Sequence, residues 1–333
     1  MRGSLSDVLL ARYADCIFWL ARYLERAENL ARILDVNETF SRDSHGGQNW
    51  RSIVQLNSDD ERFFATHSAA TAQSVVKFYV IDGDNPTSIV SAIRYARENA
   101  RTLRPLISTE MWVQLNVFYN RLAALGETDL TPGKLATLFG SIKEACQTHT
   151  GITEGTFFRD QGWYFYQLGR YIERADQTTR LLDIKYHLLL PHLSDVGSPI
   201  DVSQWNALLR SAAGYHAYRR LHTANTSPAR VAGFLLLNQA FPRSLHHCVR
   251  EAGRLLGEVK SRYLLRHGND AAEELDRLRG VLGTLDISAI LSEGLHEFLD
   301  LMQQQLIAIT RDLSIAFFGY SPKDVPTKSA AQQ

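Results

Sequence analysis

The chain has 333 residues, 45% hydrophobic and 22% charged, so it carries enough apolar material for one large core or two of ordinary size. Its 36 basic and 36 acidic side chains cancel, which removes the basic excess that nucleic-acid binding rests on. The most apolar run, Val231 to Leu237, falls far short of the roughly 20 residues that span a bilayer, and no charged-then-apolar leader opens the sequence, so no membrane role is expected.

Nine prolines and 21 glycines fall mostly between long stretches of three-four apolar spacing, and alternating β-branched runs are nearly absent, so the fold class is all-α. The first stripe runs Ile17, Leu20, Leu24, Ala27, Ala31, Leu34 and predicts a helix over about residues 8–40. His45-Gly46-Gly47 reads as a polar connection. Helices are then expected over about 60–80, 86–107, 109–125, 132–149, 160–190, 201–221, 228–239, 242–267, 270–284 and 287–318. Asn85-Pro86, Thr131-Pro132-Gly133, Ser198-Pro199, Ser227-Pro228 and Phe241-Pro242 are the punctuation, because proline suits a first helical turn and is excluded from helix interiors.

The helix at 160–190 repeats the first one. With Leu20 set opposite Leu168, an offset of 148, the residues Arg22, Tyr23, Glu25, Arg26, Ala27, Arg32, Leu34 and Asp35 recur as Arg170, Tyr171, Glu173, Arg174, Ala175, Arg180, Leu182 and Asp183. The apolar stripe recurs too, as Phe165, Leu168, Ile172, Ala175, Thr179 and Leu182. Fainter echoes follow in order: Trp50 to Ile53 against Trp205 to Leu208, and Asn85 to Ile89 against Phe241 to Leu245. Duplication of a unit of about 150 residues accounts for all three. The expected architecture is a multi-helix bundle of two diverged tandem repeats, 1–150 and 151–320, related by a pseudo-twofold axis, with a disordered tail at 321–333.

On each marked helix the polar residues share a face: Arg22, Glu25, Arg26 and Asn29 on one, Arg170, Glu173, Arg174 and Gln177 on the other. Arginines at i,i+4 repel unless a carboxylate or a bound anion lies between them. Glu28–Arg32 and Asp176–Arg180 have the favourable order of a surface pair. Two readings stay open. In one, Glu25 and Glu173 accept bidentate contacts from arginines of the opposite copy and fix geometry. In the other, the arginines bind a phosphate or carboxylate, and Glu25 or Glu173 acts as a general base.

Arg219, Arg220 and Arg243 form a second group that could clamp an anion near a helix start, or serve stacking and capping. Metal chemistry is not expected: Glu293-x-x-His296 has no second copy, and His246, His247 and Cys248, being consecutive, point in different directions. No phosphate loop, nucleophile elbow or CxxC pair occurs, so no cofactor is expected. Cys16, Cys146 and Cys248 are too scattered for a disulfide framework, which indicates a reducing, cytosolic compartment.

The segments ADCIFWLARYLERAENLARIL, SAIRYARENARTLRPLISTEMW, GWYFYQLGRYIERADQTTRLLD, AYRR and FLLLNQAFPRSLHHCVREA resemble, in order, segments of the Alpha-E family of bacterial helical proteins named for a Glu-Arg motif. The first seven residues, MRGSLSD, precede the resembling segment. The resemblance implies a cytoplasmic protein found beside, or fused to, a circularly permuted ATP-grasp protein and a transglutaminase-like cysteine peptidase, hence a part in peptide or amide-bond synthesis and trimming. Its motif positions here are Arg22, Glu25 and Arg26 with Arg170, Glu173 and Arg174. The expected function is that of a non-catalytic helical partner or scaffold for the ligase or its peptide. The alternative is an enzyme of the same pathway that processes an anionic substrate in a Glu/Arg cleft.

Overall fold

A computed structural model describes residues 9–43, 50–188, 199–222 and 226–323. His45-Gly46-Gly47, the opening MRGSLSD and most of the expected tail lie outside the described residues. The helices are α1 (Ala11–Asp43), α2 (Arg51–Leu56), α3 (Asp60–Phe64), α4 (Ala72–Val80), α5 (Ile89–Thr102), α6 (Thr109–Ala123), α7 (Pro132–Thr156), α8 (Gln161–Leu188), α9 (Pro199–Ser211), α10 (Tyr215–Leu221), α11 (Pro228–Leu237), α12 (Leu245–Tyr263), α13 (Asn269–Thr284), α14 (Ile287–Glu293) and α15 (Leu295–Phe317). No strand occurs among the described residues, so the fold is all-α.

The two apolar stripes become the buried sides of α1 and α8. From Ile17 to Leu34 and from Phe165 to Leu182 every stripe residue is buried, and the two helices pack along each other. They cross so closely that a Cβ on Gly169 would sit 2.3 Å from the carbonyl oxygen of Phe18. Only glycine permits that approach.

Around this pair the other helices form two matching sets of contacts. α1 packs on α5 and α7, with α6 between them; α8 packs on α12 and α15, with α13 between them. The short α2 reaches across to α8, and α9 reaches across to α1. The starts of α5 and α12 are built alike. Ser88 accepts from the Ser91 amide and donates to the Asp82 carbonyl, 2.7 Å away, while Ser244 accepts from the His247 amide and donates to the Asn238 carbonyl. Both serines are fully buried, so each hydroxyl ties a helix start to the turn before it.

Three expected helices are broken. The 60–80 stretch divides, and α4 starts afresh at a Thr71–Ser74 capping box. The 201–221 stretch divides at Ala213, in the left-handed region at φ 56°. The 287–318 stretch divides at Gly294, whose φ of 118° is open only to glycine and turns the chain between α14 and α15. Conversely α2, six residues long, is too short for its periodicity to be read. α7 runs on to Thr156, past the expected end near 149.

Candidate functional site

The polar faces of α1 and α8 meet in the interior. Glu173, 0% exposed, accepts from Arg22 Nε (2.7 Å) at one oxygen and Arg26 Nε (2.7 Å) at the other, while Arg26 Nη2 reaches the first at 3.2 Å. Gln177 Nε2, one turn on, adds a contact at 3.1 Å. Glu25, 4% exposed, lies 2.9 Å from Arg174 Nε and accepts from Arg243 Nη1 at 2.6 Å. Each glutamate of the motif therefore faces two guanidinium groups, and each crosses to the opposite marked helix.

The two sides differ in their second arginine. Arg22 joins Glu173, but its counterpart Arg170 turns to Glu154, 3.3 Å away. Arg243 takes that place beside Glu25, arriving from the turn before α12. Thr178 on α8 holds this turn by donating to the Arg243 carbonyl at 2.7 Å. The Arg243 guanidinium also donates to Asn29 (2.8 Å) and Glu28 (3.0 Å), and Glu28 accepts from Arg32 at 2.6 Å. Glu28 and Asp176 read as members of surface pairs and do pair with Arg32 and Arg180, yet both are buried, and Glu28 also accepts from Arg243. Arg219 and Arg220 stand exposed on α10, while Arg243 turns inward to Glu25 and Glu28, so the three do not converge on one anion, the first of the two readings open for them.

Burial alone would push both motif carboxyls up. The facing guanidiniums, Arg174 and Arg243 for Glu25, Arg26 and Arg22 for Glu173, overcome it and hold both well below the usual glutamate range. A carboxylate so held is a weak proton acceptor. Among the described residues, the space beside the network is small. The space beside Arg243, lined by Asn29, Gln177 and Thr178, measures about 10 Å³, enough for about one water. The arrangement is a closed ion-pair network.

The other candidates disperse. Cys248 is buried and its thiol is pushed by burial up to about 12, while His247 turns Nδ1 to the Gln239 carbonyl at 2.9 Å. His296 Nδ1 meets Asp183 at 2.6 Å, and Glu293 ends α14. Among the described residues no group of three or more His, Cys, Asp or Glu is placed to hold a metal ion, and no helix is long and apolar enough to cross a membrane.

One buried histidine has a measurable consequence. Gln114 spends its amide N–H on the Ala145 carbonyl (2.8 Å), so its oxygen faces His149 Nδ1 at 2.8 Å and fixes that nitrogen as the donor. His149 Nε2 is left buried and bare, and burial pulls the imidazole down to about 4 from the ordinary 6.5. Between those values the unfolded chain takes up a proton that the folded chain refuses, so stability falls as pH is lowered through the interval. Asp15 acts oppositely, since burial raises it to about 6. The contribution of His149 is therefore read as a difference: His149→Gln is expected to lose stability less steeply than the parent between pH 6.5 and 4 in urea titrations.

The sequence profile of Alpha-E, described as a predicted alpha-helical domain with a conserved ER motif, matches residues 9–318. An uncharacterized protein of Mycobacterium bovis and another of Mycobacterium tuberculosis are each 26% identical over 270 residues, covering 73% of this chain and 29% of the relative. The chain thus spans under a third of the length of these curated relatives. No solved structure matches it.

Proposed function

The chain belongs to the Alpha-E family, and from its closed Glu-Arg network we propose that it is a non-catalytic helical partner protein working with an ATP-grasp amide or peptide ligase and a transglutaminase-like peptidase. The observation that carries this reading is the engagement of both motif glutamates: each is buried and faces two arginines, and among the described residues the space beside Arg243 holds about one water. The motif then serves as a lock between two diverged copies of one helical unit. In the first copy α1 carries α5, α6 and α7; in the second α8 carries α12, α13 and α15. The reciprocal crossing of α2 to α8 and of α9 to α1 supports a pseudo-twofold relation between copies spanning 1–150 and 151–320. The far greater length of the mycobacterial relatives supports a role as one module among several. The partners, the peptide-modifying pathway and a cytoplasmic setting rest on the family resemblance.

Co-expression with the ATP-grasp protein of the same genome tests the docking role. The expected outcome is co-elution of the two proteins on size exclusion, with ligase turnover altered by the bound chain. A purified chain that neither binds the ligase nor changes its turnover would exclude the proposal. ATP-independent turnover of a peptide by the chain alone, abolished by Glu25→Gln without loss of folding, would favour the enzymatic alternative.

A further inference from the structure

We propose that the cleft between α1, α7 and α9 is a binding site for a small oxyanion, a phosphate or a carboxylate, held by Arg32, Lys143 and Arg210. The cleft measures about 250 Å³ and is lined by Arg32, Asp35, Val36, Thr39, Lys143 and Arg210. That is below the roughly 300 Å³ of drug-sized pockets and suits a small anionic group. The α1 contributors fall at i, i+3, i+4 and i+7, so one face of the helix forms the floor.

Three cations face a single carboxylate, and that carboxylate is already held: Asp35 lies 2.6 Å from Lys143 Nζ. Arg32 leans on Glu28, but Glu28 Oε1 also accepts from Arg243, so one carboxylate serves two guanidiniums and leaves positive charge uncancelled. The Arg32 side chain is 14% exposed, which weakens solvent screening of that charge. Arg210, in the last turn of α9, lies over the Tyr215 ring at 4.9 Å and has no carboxylate within ion-pair distance among the described residues. A guanidinium held on an aromatic face is pre-oriented for planar, bidentate recognition of an oxyanion. Asp35 offsets Lys143 and Glu28 offsets part of Arg32, so the cleft keeps a net positive charge, with Arg210 uncompensated among the described residues, that an anion would neutralise.

Neither motif glutamate lines this cleft, though Arg32 connects to Glu25 through Glu28 and Arg243, and the docking role does not require an anion here, so failure of the site would leave that role standing. The test is calorimetric titration of the full chain at low ionic strength with inorganic phosphate and, separately, with N-acetylglycine as a free peptide-like carboxylate. The expected result is saturable one-to-one binding of at least one probe. The probe that binds tells a phosphate from a carboxylate source. Arg210→Gln should weaken binding at least roughly tenfold, as loss of one charge-assisted hydrogen bond does. Because Arg210 is exposed, this variant is expected to keep its fold; an unchanged far-UV spectrum checks that. Arg121→Gln, an exposed arginine on α6 away from the cleft, should leave binding as it is. Absence of saturable binding for both probes, an unaffected Arg210→Gln, or equal weakening by Arg121→Gln would each overturn the proposal.

Discussion

Glu173→Gln is expected to lower the free energy of unfolding by about 3–5 kcal/mol, the cost of removing one partner from a buried charge network. The substitution changes almost no volume. It removes the negative charge between the Arg22 and Arg26 guanidiniums and puts an NH2 donor where one of the two acceptor oxygens stood, in a part of the core where Glu173 itself has no exposure. Arg26→Gln should cost less, because Arg22 still neutralises the carboxylate and Arg26 keeps some contact with solvent. Replacing Glu173, Arg22 and Arg26 together by leucine or methionine should recover much of the loss, since a well-packed apolar cluster often matches a buried ion pair in stability. Urea unfolding of the four proteins checks the order. If Glu173→Gln unfolded like the parent, the network would hold nothing together.

Gly169 offers a second large effect of purely steric origin. In an exposed helix interior, glycine to alanine is stabilising by about 0.5–1 kcal/mol, and Gly151→Ala on α7, with open space around its Cβ, should show that gain. Gly169→Ala should show the reverse, a loss of about 1–3 kcal/mol or more, because the new methyl would lie 2.3 Å from a backbone oxygen of α1 and only separation of the two helices can relieve it. The opposite signs of one chemical change at two helical glycines are readable as shifts in Tm. A gain at Gly169 would mean that α1 and α8 do not cross where described.

The elements legible in the sequence are those whose information is local. The stripes from Ile17 to Leu34 and from Phe165 to Leu182 mark α1 and α8, since a period of 3.6 needs no knowledge of the partner surface. The shared face of Arg22, Glu25, Arg26 and Asn29 follows from the same geometry. Arg243 is different. Its role as the second guanidinium on Glu25 depends on a turn reached some 200 residues later in the chain, and nothing in the local pattern separates it from Arg219 and Arg220. Glu28 reads as a surface residue from its i,i+4 spacing to Arg32, and only the tertiary packing buries it. Gly294 interrupts an apolar period that otherwise runs through it, because a single positive φ leaves no trace in periodicity. The cleft of Arg32, Lys143 and Arg210 joins three helices far apart in sequence, which no spacing rule could assemble.

A double-mutant cycle between Arg26 and Glu173, measured by urea unfolding of the parent, Arg26→Gln, Glu173→Gln and the combined variant, is the most direct probe of the lock between α1 and α8. The expected coupling energy is about 1.5 kcal/mol or more, at the upper part of the range for groups in one buried network. Losses that add to within about 0.3 kcal/mol would show the two side chains to be energetically independent, and would contradict a motif whose purpose is to hold the two helices together.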